Sequence, residues 1–422
     1  MNRIFPQKQF VPPCLASLTR NLPALADAPS EHSMKHRGRH SCEGWALLLL
    51  VIALPACSVL QKQSVSQNSS LKPSGPIVLK NQTGTVIQGL HVTSTTGDCV
   101  QILNSTNITI QNSDIGPCAG NGIAISGGQG IEVFDSYIHP ETLSPVCCDN
   151  NDGIFAVAPS SLLIQGNVIA YGESNIEVHG GTAVTVVGNL LLNPRNEQGG
   201  VGPRGNNFQC WSQTSTSPGC TNVTVENNYA LSSLDSTKYL YAEATTDSIS
   251  FGHTDGIVVQ NNYITGGHNK FGCALNADKA AINAHFLDNR LLDTGQCGIA
   301  INDGTNQLVD GNKVLNRTPV AGGGNTAISV WNFYGTNGTC GPTITSNNVA
   351  VSYQLDGTQS GFWKGSGCDP LTLANNVFGK SADNLLTPVD QVLPPPSIPP
   401  QPRNCVAISP YSTQTSLSSC AP

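Results

Sequence analysis

The sequence predicts an all-β solenoid of about eleven coils. Three observations carry that expectation. A short unit of the form apolar–turn–apolar recurs at intervals near 22 residues, a second alternating segment follows most copies, and charge is sparse while Gly and Asn abound. Only 11% of the 422 residues are charged, against about 25% in an average domain. Such a composition fits either disorder or many short strands joined by tight turns. The regular alternation of Val and Ile decides for strands.

Along the chain, the first element is a targeting segment. Residues 1–33 lack signal-peptide character. Residues 34–56 have it: Lys35, Arg37 and Arg39 precede an apolar run from Trp45 to Leu54. That run is short for a membrane span, which needs about 20 residues. Met1 and Met34 are the only methionines, so translation is expected to start at Met34. The run ends in Leu54-Pro55-Ala56-Cys57, which resembles the bacterial lipobox. The resemblance implies cleavage before Cys57 and lipidation of its thiol; Ser58 then implies the outer membrane. Residues 57–77, rich in Ser, Gln, Lys and Pro, read as a tether.

Residues 78–387 carry the coils. Copies of the unit include "IQGLHV" (87–92), "IQNSDI" (110–115), "VFDSYI" (133–138), "IQGNVI" (164–169), "VQNNYI" (259–264) and "LANNVF" (373–378). Each reads as strand, tight turn, strand. The paired Asn or Gly suits the turn because these residues tolerate left-handed dihedrals, and stacked Asn side chains can form an internal ladder. Second strands such as "DGIFAV" (152–157), "NIEV" (175–178), "CGIAI" (297–301) and "TAISV" (326–330) alternate as a half-buried sheet does. A propeller would repeat nearer 40–50 residues. Residues 388–422 form a Pro-rich linker and a tail that Cys405 and Cys420 would close.

The repeat resembles the right-handed parallel β-helix family shared by pectate lyases and polygalacturonases. The resemblance implies that fold and is weak for activity. If the chain is an enzyme, it implies a polysaccharide lyase acting by β-elimination; the alternative is a non-catalytic envelope or adhesion protein. "SFGHTDGI" (250–257) resembles the polygalacturonase "NTDG" stretch, which makes His253 and Asp255 candidates. "TGDCVQI" (96–102) has Gly97 where that family has a second Asp, and no Gly-His-Gly or Arg-Ile-Lys follows, so that activity is disfavoured.

Strand alternation places one face of the second-strand sheet in solvent. Glu177 and His179 share that face about 6–7 Å apart, suited to acid–base chemistry. Asn276, Asp278, Asn302, Trp331 and Trp363 follow on later rungs. Amides and acids bind sugar hydroxyls, and tryptophans stack on sugar rings. The insertion at 193–222 adds Arg195, Arg204 and Trp211; Arg204 could clamp a uronate carboxylate. The expected catalytic set is Glu177, His179, Arg204 and Asp278, with Asn276, Asn302, Trp331, Trp363, His253 and Asp255 binding substrate.

"CCDNND" (147–152) groups Asp149, Asn150, Asn151 and Asp152, oxygen ligands of the kind calcium takes, though without EF-hand spacing. There is no P-loop or dinucleotide fingerprint. Formal charge is −7, and the mature chain would be near −10, with no basic stripe for nucleic acid. The expected partners are a polysaccharide and, through the lipid, a membrane; the chain is expected to be a monomer. Beyond Cys57, twelve cysteines remain in the mature chain, an even number that reads as disulfides. Cys210–Cys220, Cys273–Cys297, Cys340–Cys368 and Cys405–Cys420 are plausible pairs, with connectivity open.

Overall fold

Alternation along single strands builds the molecule. In Ile154–Val157 the residues Ile154 and Ala156 are buried while Phe155 and Val157 are half-exposed, and Ile176–His179 repeats the pattern. The computed structural model describes residues 71–140, 151–194, 205–212, 219–232, 246–267, 269–335 and 338–387. Nearly every coil gives one strand to each of three sheets, of 13, 11 and 11 strands, in which every third strand of the chain becomes a neighbour. Successive coils pair in parallel; among the described strands, Val349–Tyr353 with Gln359–Ser360 is the antiparallel exception. Parallel strands joined by crossovers wind right-handed. The fold is a right-handed parallel β-helix. The inward residues of all three sheets merge into one apolar column running from Ile87 to Cys368.

The recurring turn explains the repeat residue by residue. Its first position adopts positive φ, as in Asn227 (55°), Asn261 (54°), Asp288 (52°) and Gly311 (69°). Its second position turns inward. Asn167, Asn189, Asn228, Asn262, Asn289, Asn312 and Asn348 are buried there, and each accepts the backbone N–H of the Asn one coil earlier or of its equivalent. Each also donates to the next Asn and to a carbonyl of the preceding coil, as Asn228 does to Asn262 Oδ1 (3.0 Å) and Val186 O (2.9 Å). Buried amides must be paired, and this ladder pairs them. Ser113 and Ser136 continue it toward the first coils.

Several expectations change. The strand Lys72–Ser74 joins the 13-stranded sheet, so the coils begin inside the segment read as tether. Phe208–Trp211, read as part of an insertion loop, is a rung of the sheet that holds Glu177; Ile249–Phe251 is the next. Both were hidden because loops separate them from their repeat units. A helix, Lys380–Leu386, seats Ala382 and Leu386 against Leu315 and Val351. Among the described residues no helix is long and apolar enough to cross a membrane.

Disulfides join Cys210 to Cys220, Cys273 to Cys297 and Cys340 to Cys368, as anticipated, and Cys99 to Cys118, which had been left open. The signal segment with Cys57, the residues Arg195 and Arg204, the stretch Cys147–Asn150, and the tail with Cys405 and Cys420 lie outside the described residues.

Candidate functional site

The outward residues of the 11-stranded sheet that includes Ile176–His179 form a mixed polar and aromatic row. Register fixes their order: Phe155, Glu177, Gln209, Ser250, Asn276, Ala300, Ser329 and Trp363 lie side by side on successive strands. The anticipated alternation shows in burial at Phe155 and Glu177, whereas Ser250, Asn276, Ala300 and Ser329 on the later rungs are covered and buried. Over the last five strands this face opens into a groove of about 690 Å³. Asp247, Asn276 and Asp278 line one part, and Asn302, Trp331 and Trp363 another; Phe271 and Phe333 add apolar surface.

A hydrogen-bonded chain runs across the groove floor. Trp331 Nε1–H donates to Asn302 Oδ1 (2.7 Å), Asn302 Nδ2 to Asn276 Oδ1 (3.0 Å), and Asn276 Nδ2 to Asp247 Oδ2 (3.0 Å). Asp247 Oδ1 also accepts the Cys273 backbone N–H (2.9 Å). An indole only donates, so Trp331 fixes the orientation of Asn302 and, through it, of Asn276. The donated bonds favour an ionised Asp247. Burial opposes them and wins, pushing its pKa from 3.8 up to about 7, with the charge of Asp278 adding to the rise.

Asp278 accepts the Tyr334 hydroxyl proton (2.7 Å). Burial raises its carboxyl above the ordinary range, while that hydrogen bond pulls the other way. Burial and the neighbouring Asp278 carboxyl push the Tyr334 phenol well up, so it stays protonated and remains a donor. Trp331 meets Trp363 edge-on at 5.3 Å and Phe333 at 5.2 Å, which holds the indole fixed while leaving Trp363 45% exposed. That is an aromatic platform beside two carboxyl groups.

The other expected residues lie elsewhere. Glu177 accepts from His179 Nε2 and Gln209 Nε2, and Phe155 packs edge-on against His179 at 5.3 Å. This cluster sits three strands from Asn276, about 14 Å at the usual strand spacing. The structure therefore does not bring Glu177 and His179 together with Asp278. His253 lies in the turn after Ile249–Phe251; burial first, then Lys279, lowers its imidazole pKa. Asp255 starts a strand of a different sheet, is exposed, and accepts from Asn283 Nδ2 (2.6 Å), so it stands off the groove. Asp152 is buried and accepts the Ser174 N–H (2.8 Å); burial and then Glu177 hold its carboxyl well above the usual range. Of the stretch expected to bind calcium, Asn151 and Asp152 are described and both are buried. Among the described residues no group of three or more His, Cys, Asp or Glu is arranged to hold a metal.

Sequence reasoning missed Asp247 and Tyr334. Asp247 precedes an unrecognised rung, and the alternation in "SISF" (248–251) was its only local signal. Tyr334 reaches Asp278 across 56 residues of chain, for which no local signal exists.

No family model matches the chain, and no curated protein matches it. Solved structures do. The catalytic unit of a GH87 α-1,3-glucanase from Streptomyces thermodiastaticus is 16% identical, with a TM-score of 0.46 over 72% of this chain and 52% of that one. DFA-IIIase from Arthrobacter chlorophenolicus is 14% identical, with a TM-score of 0.45 over 72% of this chain and 83% of that one. The Dettilon tailspike protein is 14% identical, with a TM-score of 0.43 over 70% of this chain and 62% of that one. The chain thus spans less than two thirds of the tailspike and of the glucanase unit. One fold hosts many activities, so what this chain does has to be read from its own side chains.

Proposed function

We propose that the groove binds a polysaccharide and that Asp247 and Asp278 cleave its glycosidic bond by hydrolysis. The observation that carries this reading is a carboxyl that holds its proton to about pH 7, beside a second carboxyl and an aromatic platform. Asp247 would donate its proton to the departing glycosidic oxygen. Asp278, hydrogen-bonded by Tyr334, would serve as the partner carboxylate. Asn276 and Asn302 would bind hydroxyls, and Trp331 and Trp363 would carry sugar rings.

β-Elimination, the lyase chemistry expected from the family resemblance, fits less well. It needs a cation to neutralise a uronate, and among the described residues the groove lining contains two aspartates and no Lys or Arg. Four disulfides are the chemistry of an oxidising compartment, which supports export. A lipid anchor at Cys57, an outer-membrane location and a monomeric state complete the reading.

The test is a screen of the mature protein against polysaccharides, following reducing ends, unsaturated products and binding together. The expected result is new reducing ends without unsaturated product, falling at least about 100-fold in Asp247→Asn while binding persists. Unsaturated product would restore the lyase reading. Binding without any product would make the chain a glycan-binding or adhesive protein.

A further inference from the structure

From the groove's charge we infer that its polysaccharide is cationic, a polymer of hexosamines with free amino groups. This rests on the glycan reading above and narrows it. Two independent features point the same way. The first is the lining: among the described residues Asp247 and Asp278 are its only charged ones, set beside the aromatic side chains of Trp331, Phe333 and Trp363. An ammonium group is attracted both to buried carboxylates and to aromatic faces, so this mixture selects a cation twice.

The second feature is the face beyond its first rung, Ile77–Lys80, which ends in the exposed Lys80. From Val100–Leu103 to Thr326–Val330, the outward positions of the described rungs include Glu177 and no Lys or Arg. A chain bound along the solenoid would meet carboxyl groups in the groove and again two to three strands away, about 10–14 Å, at Glu177.

Basic side chains near the groove are already occupied. Lys270 Nζ lies over the Phe271 ring at 4.9 Å and Lys279 Nζ over the Tyr334 ring at 5.8 Å. Lys364, on the last rung, pairs with Asp369 (2.7 Å). Lys279 partly offsets the charge of Asp278, but burial outweighs it, and the carboxyl is still raised. The carboxyl groups therefore stand short of positive charge. A ligand ammonium beside Asp278 would supply it and favour that carboxyl's ionised form, leaving Asp247 to keep its proton. His253 and Asp303, the other titratable groups around Asp278, do not line the groove.

The test is calorimetric titration of the mature protein near neutral pH with oligomers of glucosamine, galactosamine, N-acetylglucosamine and glucose, and with oligolysine. The free-amine sugars are expected to bind at least about tenfold more tightly than the acetylated or neutral ones, which is about 1.4 kcal/mol. That margin should shrink in Asp278→Asn and with added salt. Circular dichroism of the isosteric variant confirms that it folds. The glucosamine and galactosamine arms identify which sugar is preferred. Equal binding of glucose or N-acetylglucosamine oligomers overturns the inference and leaves the groove reading intact. Oligolysine binding as tightly as the amino sugars overturns it too, because charge alone would then explain the affinity. No binding by any sugar overturns both.

Discussion

Replacing Asp247 with Asn should make the protein's stability less sensitive to rising pH between about 4 and about 7. The wild-type carboxyl titrates at about 7 in the fold against 3.8 as an ordinary aspartate, so the folded state holds the proton more tightly. Below pH 3.8 the group is protonated folded or unfolded and costs nothing. As pH rises from there to about 7, the unfolded state ionises while the folded state cannot, and stability is lost. Above that point the loss is complete and constant. A shift of about three units at about 1.4 kcal/mol each gives about 4 kcal/mol. The carboxyl reaches the groove with part of its surface, so about 2–4 kcal/mol is the expected range. Asn cannot titrate. Its amide nitrogen does face a donor, Asn276 Nδ2 or the Cys273 N–H, but that penalty is the same at every pH. The measurement is denaturant unfolding of wild type and Asp247→Asn at about pH 4 and about pH 8, with the difference of differences taken. The variant should gain about 2–4 kcal/mol on the wild type between the two. A gap that does not change with pH would show that burial does not raise this carboxyl, and the proton-donor role would fall with it.

Other outcomes follow from the same structure. Asn228→Leu should cost about 3–5 kcal/mol, because it strands the buried Asn189 N–H and removes the bonds to Asn189 Nδ2 and to the Val186 and Glu226 carbonyls; thermal melting reads it. Trp363→Ala should weaken glycan binding by about tenfold or more with little change in melting temperature, since that ring is half in solvent. Tyr334→Phe removes the hydrogen bond that favours ionised Asp278, so the limb of the pH–rate profile that reports Asp278 should move to higher pH. A downward or absent shift would mean that Asp278 does not set that limb.

The fold was legible because it is written locally. Each turn pair, such as Asn261-Asn262, needs one residue that tolerates positive φ and one amide that bonds up and down the stack, and both demands fall on adjacent residues. The outward row was legible for the same reason: in a strand the face follows from odd or even position, so Glu177, His179 and Asn276 fall on one face of one sheet. What alternation could not give was the number of rungs between them. Phe208–Trp211 and Ile249–Phe251 are too short and too isolated in sequence to declare themselves, yet they set Glu177 three strands from Asn276.

The sequence by itself determined the β-helix, its turns, its internal Asn ladder and which residues turn away from the core column, since each depends on neighbours one to three positions away. Tertiary structure decided which of those residues form a site. Asp247 becomes a proton holder only because stacking encloses it beneath Asn276, and Tyr334 meets Asp278 only because a later coil returns to the same face. Burial and the convergence of distant coils are properties of the wound chain, and they are what give these carboxyl groups their chemistry.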